Sequence, residues 1–147
     1  MEIYTIGFTQ TTARHFFGKL TLAGVRRLID VRLNNSSQLA GFAKKEDLAY
    51  FLQELCGTEY VHEPRLAPTQ ELLDALKKDR GPWSEYEAGF NELLNERRIA
   101  DLLSPDLFAG PSVLLCSEST PEHCHRRLIV EHLQREWPDR GVRAIHL

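Results

Sequence analysis

Short apolar runs of strand length, each followed by a stretch of helical periodicity, recur along the chain and commit it to an alternating α/β architecture. Ile3–Gly7 is β-branched and apolar. After it, Thr9–Thr12 offers helix N-caps, and Phe16, Phe17, Leu20 and Ala23 repeat at three-to-four spacing until Gly24. Arg27–Val31 is mostly apolar rather than alternating, the mark of a strand covered on both faces. A polar loop around Asn34–Ser37 leads to a helix over Lys45–Cys56, closed by Gly57. Thr58–His62 reads as a third strand. Helices follow near Gln70–Lys78, which Gly81-Pro82 breaks, and over Ser84–Leu103, ended by Ser104-Pro105. Ser112–Cys116 is the most apolar strand, Pro121–Trp137 a helix, and Val142–Leu147 the last strand. Strands separated by helices predict a single-domain three-layer sandwich with a mainly parallel sheet of about five strands, leaving strand order open.

The 147 residues fit one domain, with no internal repeat or linker to divide them. Hydrophobic residues at 42% and charged residues at 27% exclude disordered, collagen-like and membrane classes. A net charge of -3 and pI near 6.1 argue against non-specific nucleic-acid binding, which needs a basic face. Met1–Thr5 lacks the pattern of a signal peptide and no apolar stretch approaches membrane-spanning length, so a cytoplasmic, non-membrane protein is expected. In that compartment the three cysteines read as free thiols, metal ligands or redox groups before they read as disulfides.

Ligands of open parallel sheets bind beyond the carboxyl ends of the strands. There the chain places Gly7, then Asp30 and Arg32, then His62, then Cys116, Ser117 and Glu118. Asp30 and Arg32, two apart, share a face of their strand, either as a structural ion pair or with Arg32 gripping a phosphate or carboxylate. Thr120-Pro121 reads as N-cap and N1 of the following helix, which sets Cys124, His125 and Arg126 in its first turns. A helix start favours anions, so it would stabilise a thiolate at Cys124 or a bound phosphate, and His123 and Arg127 add to the density. Three functional readings compete. One is a reactive thiol, Cys124 or Cys116, with a histidine as base and helix N–H groups as oxyanion donors. Another is a metal site from Cys116, Cys124 and a histidine or Glu118, although C-x7-C-H is not a standard zinc spacing. The last is a non-covalent anion pocket built on Arg32, Arg126 and the helix N-terminus. Against all three stands a structural reading, with the cysteines as small core residues and the histidines as caps. Cys56 reads as packing, Tyr86, Phe90, Leu93 and Leu94 as core, and His15, His132 and Trp137 as structural.

Thr5-Ile6-Gly7, Leu28-Ile29-Asp30-Val31-Arg32, Ser37, Phe42, Tyr60 and, above all, Leu114-Leu115-Cys116-Ser117-Glu118 with Cys124-His125-Arg126 resemble the DUF488 family of small bacterial and archaeal proteins without an established general function. The resemblance spans nearly the full chain. Phe8-Thr9, Asn35 and Leu66-Ala67-Pro68 depart from the broader family pattern and match a sub-branch carrying Leu33-Asn34-Asn35 and Leu66-Ala67-Pro68-Thr69. What it implies is positional. Gly7, Asp30, Arg32, Cys116, Glu118, Cys124, His125 and Arg126 form one cluster, in which Glu118 would orient His125 or Arg126. It implies no cofactor and no substrate.

The combined expectation is a cleft for an anionic small molecule or nucleotide, with Cys124, Cys116, His125 and Glu118 as catalytic candidates. Gly7, Asp30, Arg32 and Arg126 are the ligand-binding candidates. A nucleic-acid accessory role through Lys44-Lys45, Arg126-Arg127 and the Asn34-Asn35 loop is a different class of reading, which the acidic total disfavours. A protein-interaction domain with a vestigial site is another. Oligomeric state is not legible.

Overall fold

The computed structural model describes residues 1–36, 41–118 and 121–147, so the N-cap expected at Thr120 and the family position Ser37 lie outside the described residues. Five parallel strands run in the order β3-β2-β4-β1-β5, where β1 is Glu2–Gly7, β2 Arg27–Asp30, β3 Glu59–His62, β4 Ser112–Cys116 and β5 Arg143–His146. Every residue of β4 is buried, as its unbroken apolar run requires of the central strand.

Alternation along the strands splits the interior into two layers. On one face Ile6, Leu28, Val113 and Leu115 meet α1 (Ala13–Leu22) through Phe16, Phe17 and Leu20, and α2 (Lys45–Phe51) through Leu48. Thr12 caps α1, its hydroxyl accepting from the His15 N–H at 3.1 Å. On the other face Ile3, Ile29, Val31 and Leu114 meet α4 (Trp83–Glu96), α5 (Ile99–Leu102) and α6 (His125–Glu136), with α3 (Gln70–Lys77) at the margin. The chain therefore moves β1 to β2 to β3 behind one face and returns β3 to β4 to β5 behind the other. Opposite travel on opposite faces is the condition for all crossovers to share one hand.

Two helices differ from the sequence expectation. The run expected as one helix over 84–103 breaks at Arg98, whose backbone is left-handed (φ 53°). Beside it the Arg97 guanidinium donates to the Arg65 and Ala67 carbonyls at 2.7 and 2.6 Å, which pins the bend to the loop after β3. The helix expected from Pro121 starts four residues later. Cys124 is extended (φ -139°, ψ 140°) and its N–H closes a turn onto the Pro121 carbonyl at 3.2 Å, so regular helix begins at His125. The helix after Lys45 is α-helical to Phe51 and finishes in a wider π turn over Leu52–Cys56.

His132 of α6 is a buried imidazole whose Nδ1 has no partner among the described residues. Desolvation holds its pKa below 6.5, Glu136 opposing and Arg135 reinforcing. The unfolded chain then binds the proton first, so the stability tied to neutral His132 is present above the unfolded value and is lost as pH falls through the folded one. His132→Leu is expected to flatten the fall in thermal midpoint between about pH 7 and pH 5. Identical slopes for the two proteins would show that His132 does not titrate on unfolding.

Candidate functional site

The exits of β2 and β4 diverge, one toward β3 and the other toward β5, and such a divergence between neighbouring strands opens a crevice at their carboxyl ends. Asp30 pairs in register with Leu115, and the Val31 N–H donates to the Leu115 carbonyl at 3.1 Å. A cleft of about 290 Å³ lies there, with Arg32, Cys116, Cys124 and His125 in its wall and Lys77, Lys78 and Trp83 on the side formed by α3 and the start of α4.

Its floor is a sulfur–imidazole cluster. His125 Nε2 lies 2.8 Å from the Val31 carbonyl, which only accepts, so Nε2 carries the proton. That leaves Nδ1 of the neutral ring as an acceptor, 3.3 Å from Cys116 Sγ. The ligand atoms of Cys116, Cys124 and His125 all lie within 4.8 Å of one another, and all three residues are buried. Three corners of a tetrahedral site for a soft ion such as Zn²⁺ are therefore available, with His125 oriented through its second nitrogen as metal-binding histidines are.

Burial pushes the Cys116 thiol up. The Cys124 thiol, the backbone N–H groups of Glu118 and Ser117 and the Arg126 guanidinium outweigh it, so the net direction is down. Cys124 moves the other way, raised well above an ordinary thiol by burial and by its sulfur neighbour. Of the pair, Cys116 is the thiol whose pKa is drawn down, toward the charged form.

Arg126 does not line the cleft; it is 1% exposed, behind the cluster. Its Nη1 donates to the Glu118 carbonyl, and among the described residues its Nε has no partner and no carboxylate pairs with it. Gly7 makes this packing feasible, since a Cβ there would stand 1.6 Å from the Glu118 carbonyl oxygen and 2.7 Å from Arg126 Nη1. Glu118 thus reaches Arg126 through its main chain. Its carboxylate instead forms an ion pair with Lys77 at the rim, and His125 is oriented by Val31.

Asp30 and Arg32 form a buried bidentate pair, Nε and Nη2 each at 2.9 Å from a carboxylate oxygen. The Arg32 N–H adds a bond to Asp30 at 3.1 Å, Tyr60 donates its hydroxyl at 2.6 Å, and Arg32 Nη2 also reaches the Ala43 carbonyl at 2.7 Å. Arg32 thus makes the structural ion pair, which engages its Nε and Nη2, and it also lines the cleft.

Sequence reasoning missed Trp83, which stacks between His123 and Tyr86 with ring centroids 5.0 Å apart in each case. It also missed Lys77 and Lys78. Neither has a local signal, because helix α3 comes to the cleft only through the tertiary fold. The proposed nucleic-acid constellation separates: Lys44 and Lys45 lead into α2 on one face, Arg126 is buried, and Arg127 on the opposite face pairs with Glu131 at 2.7 Å and Glu87 at 3.7 Å.

The family model for the domain of unknown function DUF488 matches residues 12–133. The chain is a member of the DUF488 family. The match covers both halves of the cluster in this DUF488 protein, 30–32 and 116–126, while Gly7 lies just before it. No curated protein and no solved structure matches the chain. Among the described residues no helix is long and apolar enough to cross a membrane.

Proposed function

We propose that this DUF488 protein is a thiol-dependent enzyme acting on a small anionic substrate, with Cys116 as nucleophile. The observation that carries the reading is Arg126, a buried guanidinium with no carboxylate partner among the described residues, whose charge draws the Cys116 thiol pKa down. An uncompensated buried charge costs several kcal/mol, and a Cys116 thiolate offsets it. His125 Nδ1 accepts the thiol proton, and the Ser117 and Glu118 N–H groups then hold the anion. Cys124 stays protonated and donates to it. Lys77 and Lys78 are the cations available to a phosphate or carboxylate. Their partners Glu118 and Asp74 are partly exposed, and exposed pairs are weak enough to yield to a substrate. Asp30 and Arg32 hold the end of β2, and with it the Val31 carbonyl on which His125 rests.

At neutral pH iodoacetamide is expected to alkylate the buried Cys116 faster than the more accessible Cys56, and Arg126→Met to slow Cys116 on the order of tenfold for each unit by which the thiol pKa rises. Equal slow labelling of all three thiols would end the nucleophile reading, and preferential labelling of Cys124 would reverse the two roles. The sulfur–imidazole triad favours one second reading, a bound transition metal. Stoichiometric zinc or iron in protein purified without chelators would establish it.

A further inference from the structure

We propose that Cys116 and Cys124 are a redox pair that closes to an intramolecular disulfide when a hydroperoxide oxidises Cys116. The inference rests on Cys116 as nucleophile and adds a role for Cys124 that substrate chemistry does not require.

The two sulfurs belong to one buried cluster within 4.8 Å. A disulfide needs about 2.05 Å between sulfurs, so closure brings them together by side-chain rotation and, where the Cα atoms must approach, by a shift of the 121–124 turn. Cys124 is placed to make that movement. It stands at the N-cap of α6 with an extended backbone and no side-chain capping bond, at the end of the 121–124 turn rather than inside regular helix. The third cysteine takes no part: Cys56 packs in the opposite layer, accepting from the Thr21 hydroxyl at 3.5 Å and facing the Phe17 carbonyl at 3.7 Å. Geometry assigns the order: Cys116, fixed at the end of β4 with its sulfur 3.3 Å from His125 Nδ1, attacks, and Cys124, on the adjacent turn, resolves.

In the first step the Cys116 thiolate attacks the terminal oxygen of ROOH. An S–O bond forms, the O–O bond breaks, and the leaving alkoxide takes the proton originally released by Cys116 to depart as ROH. The sulfur is oxidised by two electrons to a sulfenic acid while the peroxide is reduced. In the second step the Cys124 sulfur attacks the sulfenic sulfur. The S–S bond forms, the S–O bond breaks, and the Cys124 proton, relayed by His125, leaves with the hydroxide as water. Two thiols and one hydroperoxide give one disulfide, one alcohol and one water, and an external dithiol returns the pair to its reduced state by exchange. Closure stops the sulfenic acid from advancing to the irreversible sulfinic state.

The test treats the reduced, chelator-washed full chain with equimolar hydrogen peroxide and reads the intact mass. A loss of about 2 Da, reversed by dithiothreitol, is expected, with Cys56 still alkylated by iodoacetamide. Both cluster cysteines fall in the tryptic peptide 99–126, so further cleavage after Glu118 or Glu122 should leave two fragments joined. In Cys124→Ser, Cys116 should instead gain about 16 and then 32 Da. Wild-type protein that gains oxygen at Cys116 without a lighter species, or a bridge that includes Cys56, overturns the redox pair. Fast alkylation of Cys116 with no bridge removes the redox pair alone. A Cys116 inert to both reagents removes the nucleophile reading with it.

Discussion

Asp30→Ala is expected to destabilise the fold by about 3–5 kcal/mol, the largest loss from any single truncation at the site. Both side chains of the pair are at most 2% exposed, and the carboxylate accepts from the Arg32 N–H, Nε and Nη2 and from Tyr60. Without the carboxylate the guanidinium is stranded beside Phe8, over whose ring it stands at 5.0 Å, an interaction too small to replace an ion pair. Removing both charges should cost much less than removing one. The double variant Asp30→Leu with Arg32→Met is expected to recover most of the loss, because no orphaned ion remains. Denaturant unfolding of the three proteins measures it. A cost below about 1 kcal/mol for Asp30→Ala would mean that water reaches the guanidinium through the cleft, and the buried-pair account would be withdrawn.

Gly7→Ala is expected to combine a stability loss of at least about 1–3 kcal/mol with loss of fast alkylation at Cys116. The new methyl would stand 1.6 Å from a main-chain oxygen, and that oxygen cannot yield freely. Arg126 holds it, and the Thr9 N–H binds the adjacent Ser117 carbonyl at 3.3 Å. The end of β1 or the 117–118 segment must move, and that segment carries the N–H groups facing Cys116. Gly18→Ala in α1 is the control: nothing lies within 4 Å of its new methyl, and the change should be stabilising by up to about 1 kcal/mol. Gly7→Ala with normal melting and unchanged Cys116 labelling would show that the Glu118 carbonyl is not fixed.

The strands were legible because each is a short run between turns and helices, and β4 stood out as the most apolar of them. Their order was not, since parallel register depends on the packing of residues far apart in sequence. The α6 start was misread because Pro121 suits a first helical turn as well as it suits the turn it actually makes. Nothing local marks the break at Arg98, where no glycine or proline stands and the Arg97 contacts to Arg65 and Ala67 decide the bend. At the site, two-residue spacing placed Asp30 and Arg32 together, and strand-end logic brought Cys116, Cys124 and His125 near them. Their roles divided on contacts invisible to the sequence. Arg32 is occupied by Asp30 and Ala43, Arg126 faces inward, and Glu118 uses its carboxylate on Lys77.

The strand order also dictates a sequence of events during synthesis. β4 separates β1 from β2, yet it is the fourth strand to leave the ribosome, so a nascent chain ending near residue 110 carries a sheet with its middle missing. Until residues 112–116 arrive, β1 and β2 have no partner on the edges they will later bury, and such non-local pairing is slow and prone to aggregation. Cys116 emerges with, and Cys124 just after, the strand that fills the centre of the sheet. The chain thus has no earlier stage at which both cluster thiols are exposed while the centre of the sheet is still waiting to be made.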